Sequence, residues 1–268
     1  MATQQKIEEL KQTEPAVESE EVPILLEDKI KGVDEEAVVE KVLTEREQME
    51  KERHKEALAA WKPKTELGRL VKSGKIKDID VILKEHKKIL EPEIVDLLLN
   101  LDKDLLLIGQ AKGKFGGGKR RAWRSTQKKT MEGNVMTFSS MAVVGDKKDH
   151  VGIGMGKSKE TLPSRDKAIR KAKLNIIKIT RGYESQEEGN TGPHTVPFVV
   201  EGKCGSVRLK LIPAPRGTGL VAGNEAKKIL RLAGIKDVYS RATGQTRTTF
   251  NLARACIDAL QKTNEMKL

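Results

Sequence analysis

The chain has 268 residues and a formal net charge of +12, with 37% apolar residues and only 3% aromatic ones. That length allows one or two domains plus extensions, with a core built from Val, Ile, Leu and Ala instead of stacked rings. No apolar run approaches the ~18 residues of a membrane span and no signal-peptide pattern opens the chain, so the expectation is a soluble, intracellular protein.

Charge is unevenly spread. Residues 1–60 hold 9 Lys and Arg against 17 Asp and Glu, which leaves 42 against 22, a net +20, for residues 61–268. A body that basic expects a polyanion as partner. The two cysteines, Cys204 and Cys256, are too few for a disulfide framework and lack metal-ligand spacing, so both read as core thiols.

In chain order, residues 1–60 form an acidic, partly helical extension: disordered in composition as far as about 36, then helical in propensity until Trp61-Lys62-Pro63 breaks the pattern. Residues 61–92 carry two short amphipathic helical patterns, at 67–71 and 79–83, and a stronger one follows at 94–101. From 105 to 131 there is no acidic residue. Within that stretch Lys112, Lys114, Lys119, Arg120, Arg121, Arg124, Lys128 and Lys129 are interleaved with Phe115 and Trp123. Gly116-Gly117-Gly118 hold regular structure only at a cost, so this reads as a flexible loop feeding a basic strand. Cations neutralise phosphates and aromatic rings stack on bases, which makes the stretch a nucleic-acid loop.

Residues 142–178 read as strand, Asp146–Asp149 turn, glycine-rich strand and helix. Gly152, Gly154 and Gly156 recur at period two, so all three share one face and leave it bare for another backbone to approach. The helix aligns Ala168, Ile169, Ala172, Ile176 and Ile177 on one stripe, with Arg165, Arg170, Lys171, Lys173 and Lys178 outside. That basic face expects an anion. A polar loop, 181–194, follows. A hairpin is then expected from 195–201 and 206–213 across Gly202-Lys203-Cys204-Gly205, followed by a glycine loop over 215–223. Asn224 is expected to cap a helix ending at Gly234, with a strand over 236–241 and a last helix over 248–262.

Two glycine loops are candidate nucleotide sites. Gly152-Ile-Gly-Met-Gly-Lys157-Ser158 misses the phosphate-cradling G-x-x-x-x-G-K-[ST] spacing by one residue, because Val151 stands where the first glycine belongs. Gly217-Thr-Gly219-Leu-Val-Ala222 fits G-x-G-x-x-[GA] with Asp237 twenty residues on, but Pro213 and Pro215 obstruct the tight turn a dinucleotide needs. Arg216 remains a phosphate contact. The four histidines have no ligand spacing, and no nucleophile–base set or carboxylate pair asks for catalysis.

Several stretches together resemble a known family. They are WKPKTELGRLVKSGKI at 61–76, AVVGDKKDHVGIGMGKSKE at 142–160, RDKAIRKAKLNIIKITRG at 165–182, PHTVPFVVEGKCGSVRLKLIPAPRGTGLVAG at 193–223 and LAGIKDVYSRATGQTRT at 232–248. In this order they resemble the ribosomal protein S-five family of the small subunit, in its archaeal and eukaryotic branch. The resemblance implies an α+β fold of two small α/β-sandwich domains. A double-stranded-RNA-binding-like domain would span 93–182 and a C-terminal β-α-β domain 193–262, after a helical, branch-specific segment at 61–92. It also implies a non-enzymatic, structural constituent of the small ribosomal subunit, cytoplasmic, with no cofactor and no metal. Its partners would be ribosomal RNA and neighbouring small-subunit proteins, near where mRNA enters and is decoded.

Carried onto this sequence, the expected RNA contacts are the basic stretch from Lys112 to Lys129, together with His150, Lys157, Arg165, Arg181, His194, Arg216, Arg241 and Arg247. Gly133-Asn134-Val135 stands where many members carry glycine followed by two basic residues, so the insertion 112–124 is expected to take over that role. A free-standing RNA-binding regulator and a nucleotide-dependent enzyme are the competing readings.

Overall fold

The structure, a computed structural model, describes residues 49, 56, 58–110, 120–183 and 192–264. Most of the acidic extension, the loop residues Lys112, Lys114, Phe115 and Lys119, and most of the polar loop after Arg181 lie outside the described residues. Among the described residues no helix is long and apolar enough to cross a membrane.

Residues 62–268 form one compact unit. It begins with three short helices: α1 (Glu66–Lys72), α2 (Ile79–Lys84) and α3 (Pro92–Leu98). The Thr65 hydroxyl caps α1 by accepting the Gly68 N–H at 3.1 Å, and Pro92 opens α3, where a missing N–H costs nothing. The Glu91 carboxylate accepts the N–H groups of Lys64 (2.9 Å) and Thr65 (2.6 Å), which fastens the start of α1 to the start of α3. α3 stops at Leu98, short of the expected 101, because Leu99 turns extended to lead into the first strand.

The first sheet is antiparallel and comprises β1 (Asp102–Leu105), β2 (Trp123–Thr130), β3 (Gly133–Gly145), β4 (His150–Ser158) and β5 (Ile176–Lys178). β1 and β2 lie end to end along the same edge of β3: Leu105 pairs with Ala142, and Trp123 with Ser140. Residues 106–122 are therefore an excursion from what is otherwise a single edge strand.

α4 (Thr161–Leu174) crosses this sheet on the glycine face. A Cβ on Gly152 would sit 2.3 Å from the Ala172 carbonyl oxygen, one on Gly154 2.2 Å from the Ala172 nitrogen, and one on Gly156 2.1 Å from the Ser164 oxygen. The period-two glycines are the groove in which the helix backbone lies. The helix ends three residues earlier than the stripe predicts, because Ile176 and Ile177 pair with Gly152 and Val151 as β5. A sheet edge won over helical periodicity. The motif ending in Lys157-Ser158 is plain extended strand, with no loop to wrap a phosphate.

The second sheet has the order β6 (Val200–Cys204), β7 (Val207–Pro213), β9 (Val238–Thr243), β8 (Leu220–Val221). The hairpin turn falls at Gly205-Ser206, with Gly205 at φ 63°, so Gly202 to Cys204 belong to the strand and residues 195–199 do not. β8 runs parallel to β9 and is joined to it through α5 (Asn224–Leu232), which makes the β-α-β unit; Gly223, not Asn224, precedes the helix as its cap. α6 (Thr249–Lys262) packs on β6 and β7, where Gly202 repeats the device of the first sheet: a Cβ there would lie 2.0 Å from the Ala255 oxygen.

One core serves both sheets. Met141, Val143, Val151 and Ile179 cluster with Leu209, Leu211, Ile229 and Leu260. The β3–β4 turn is clasped by α5: Lys147, at φ 59°, donates its N–H to the Leu232 carbonyl at 2.9 Å. On the far side, the buried Glu225 carboxylate accepts the Leu107 N–H at 2.8 Å, and Lys228 bonds Asp104 and the Leu105 carbonyl.

Candidate nucleic-acid interface

From Arg124 to Lys129 every residue of β2 is exposed, and so are the β3 positions opposite Gln127 and Lys129. A two-stranded ribbon exposed on both faces has little apolar area to bury on its own. Across the sheet Arg124, Ser139 and Lys157 are register partners in one row on the face away from α4, with Lys128 four residues along the same face. Lys129 and Trp123 take the α4 face, where Trp123 carries the Arg165 guanidinium 5.4 Å from its ring centroid. Arg120 and Arg121 are exposed at the end of the excursion. The Gly109 N–H bonds the Arg121 carbonyl at 2.9 Å, and a Cβ on Gly109 would lie 2.3 Å from the Trp123 oxygen, so bare backbone pins the two ends of the basic loop together. None of Arg120, Arg121, Arg124, Lys128, Lys129 and Lys157 forms an ion pair among the described residues.

Several expected contacts are engaged elsewhere. His150 is buried, with Nδ1 2.7 Å from Asp146 Oδ2 and Nε2 2.9 Å from Asp80 Oδ1, so both ring nitrogens are spent inside the fold. Asp146 also accepts the N–H groups of Lys148, Asp149 and His150, and Lys178 joins Asp80. Burial works against charge on all three groups. It is outweighed by hydrogen bonds: those from Lys178 and then His150 hold the Asp80 carboxyl below the usual range, those from His150 and the backbone hold Asp146 there, and those to Asp146 and Asp80 raise the His150 imidazole. The triad docks α2 on β4; it is not an RNA-facing histidine. Arg181 donates to Asp149 at 2.6 Å and to the Pro193 and Gly234 carbonyls, and so acts as a tie between the halves. His194 is buried beside Asp237, with Nδ1 3.4 Å from Oδ2.

The basic outer face of α4 finds part of its anion within the chain: Lys173 meets Asp96 at 2.7 Å and Arg170 approaches Glu93 at 3.9 Å, both acids on α3. The spacing that mimics a dinucleotide site is also accounted for, because Asp237 accepts the Gly219 N–H at 2.8 Å and thereby shapes the glycine loop itself. Arg216 is exposed and donates to the Gly192 carbonyl, while Arg241 on β9 and Arg247 before α6 are exposed. Sequence reasoning missed Asp80, whose partner lies far along the chain, and three cations of the second sheet, Lys203, Arg208 and Lys210. The alternation Val207-Arg208-Leu209-Lys210-Leu211 was the signal for two of them.

The sequence matches known proteins. Residues 121–180 match the family described as ribosomal protein S5, N-terminal domain, and residues 202–267 its C-terminal domain. The small ribosomal subunit protein uS5 of Nanoarchaeum equitans is 51% identical over 209 residues, 78% of this chain and 90% of that protein. The chain belongs to the uS5 family. The uS5 proteins of Methanococcus maripaludis strain C6 (46% over 214 residues, 80% and 87% of the two chains) and Pyrobaculum aerophilum (45% over 212 residues, 79% and 90%) match in the same way. uS5 is a structural family, not an enzymatic one, which removes the nucleotide-enzyme reading. The first family match begins at Arg121, so the excursion sits at its margin and the helices α1 to α3 precede it.

Proposed function

We propose that this chain is a structural constituent of the small ribosomal subunit in the cytoplasm. It holds ribosomal RNA with the β2–β3 ribbon and its basic loop, and it bridges neighbouring small-subunit proteins near the place where mRNA enters and is decoded. One observation carries the reading: a ribbon bearing Arg124, Lys128 and Lys129, exposed on both faces and without acidic partners among the described residues, in a chain 51% identical to one small-subunit protein over 90% of its length. Cations without protein counter-charges neutralise phosphates, and a ribbon without its own core gains its rigidity from what it binds. In this reading residues 93–182 are the RNA-holding domain and 193–262 the second domain, with 61–92 as the branch-specific clamp over the first and 1–60 as an acidic extension.

The deciding experiment is sedimentation of a lysate from cells carrying the tagged chain, traced through a sucrose gradient before and after a high-salt wash. Salt-resistant migration with the small subunit is expected. Migration at the top of a gradient whose ribosomes are intact overturns the proposal in favour of a free RNA binder.

A further inference from the structure

The second sheet is covered on one face only. α6 lies so close over β6 and β7 that Gly202 has no room for a side chain, while the opposite face is open. Register places Lys203 opposite Arg208 in one row of that open face. In the next row Glu201 stands opposite Lys210, and Lys210 opposite Arg241. All five are exposed, and among the described residues none of the four cations forms an ion pair. One row further Ile212 faces Tyr239, and Tyr239 faces Val221, with Tyr239 40% and Val221 46% exposed.

Like charges set directly opposite one another destabilise a sheet. Two such pairs, Lys203–Arg208 and Lys210–Arg241, stand in neighbouring rows with Glu201 as the one acid between them. Side chains in these rows are about 5 Å apart across strands and about 7 Å apart along them, a density of positive charge that folding alone does not favour. An exposed ring flanked by aliphatic side chains adjoins it. Cations that follow a backbone beside a stacking platform are the two parts of a single-strand nucleic-acid surface.

We propose that the open face of the second sheet is a second RNA-docking surface, taking a single RNA strand with phosphates along Lys203, Arg208, Lys210 and Arg241 and a base or ribose on Tyr239. This rests on the rRNA-binding reading but uses neither the basic loop nor the β2–β3 ribbon.

The test measures binding of a labelled uridine decamer to the full chain across a salt series, with thermal melts alongside. Three variants are compared: Lys210→Gln with Arg241→Gln, Tyr239→Ala, and Lys128→Ala with Lys129→Ala in the ribbon. The Lys210/Arg241 variant is expected to flatten the log–log salt slope by roughly 1.4, about 0.7 per lost phosphate contact. Its melting temperature should stay or rise, because a cross-strand repulsion is gone. Tyr239→Ala is expected to weaken binding at least about fivefold with little change in slope. If the Lys210/Arg241 variant is folded and keeps wild-type affinity and slope while the ribbon variant loses both, this proposal falls and the rRNA reading stands. If neither variant loses affinity, both fall. Equal competition by an oligoglutamate of matched charge would mark a surface for acidic protein and would also overturn the proposal.

Discussion

Asp80 and His150 stand 70 positions apart in the chain, yet Asp80 Oδ1 lies 2.9 Å from His150 Nε2. This contact, with Lys178 on the second Asp80 oxygen and Asp146 on the other ring nitrogen, attaches α2 to the edge of the first sheet. A helix of 6 residues has no stability of its own, so what holds it is this network together with buried Ile79 and Ile82. Asp80→Asn keeps the shape, removes the charge and is expected to cost about 1–3 kcal/mol in a thermal melt or denaturant titration. An unchanged midpoint would make the network decorative.

The same triad gives a pH signature. The His150 pKa is raised in the fold, so its contribution is complete below the ordinary 6.5 and fades as pH climbs through the raised value. Asp80 and Asp146 are lowered, so theirs is complete above the ordinary 3.8 and fades as pH falls through the lowered values. The stability difference between wild type and His150→Gln should therefore be greatest between 3.8 and 6.5 and shrink toward pH 9. A difference that grows steadily with pH would contradict the assignment.

The glycine groove makes a sharper demand. Gly154→Ala places a Cβ 2.2 Å from the Ala172 backbone nitrogen, with the helix backbone as the only thing that can yield. A loss of about 3 kcal/mol or more is expected. Gly192→Ala, whose Cβ meets nothing within 4 Å, should stay within about 0.5 kcal/mol of wild type.

For the ribbon, Lys128→Ala with Lys129→Ala should leave the melt unchanged, since both side chains are exposed and unpaired among the described residues. RNA affinity should fall, and the salt slope should flatten by roughly 1.5 to 2. A lower melting temperature with the slope intact would reassign the pair to folding.

The two thiols should separate cleanly. Burial pushes the Cys256 thiol up to about 12, whereas Cys204 is partly exposed. In the native protein an alkylating reagent should therefore modify Cys204 alone, and both should react in denaturant. Native labelling of Cys256 would show that α6 lifts from its sheet.

How far the sequence could be read depended on whether a feature was local. Gly152, Gly154 and Gly156 announce their helix because three of them share one strand face. Gly202 does the same work alone and passed for part of a turn. Ile176 and Ile177 sat on a helical stripe whose continuation was decided by pairing with β4, a partner that periodicity does not reveal. The ribbon's strand pattern was weak because both faces meet solvent and no alternation was required of it. The resemblance put His150 among the RNA contacts, whereas Asp80 and Asp146 close on both its ring nitrogens. Charge counting found the basic stretch but did not separate Lys128, which forms no ion pair among the described residues, from Lys173, which α3 neutralises.

β3 is 13 residues long, roughly 40 Å, and a single strand of that length joins the exposed ribbon to the turn clasped by α5. With one core behind both sheets, the root of the ribbon and the second sheet are held at one separation, like the jaws of a caliper locked at a fixed gap. If both surfaces hold RNA as proposed, an RNA that reaches both jaws must fold to that gap. Under that proposal the protein selects its RNA by shape without reading the letters, and a misfolded segment fails to span the gap.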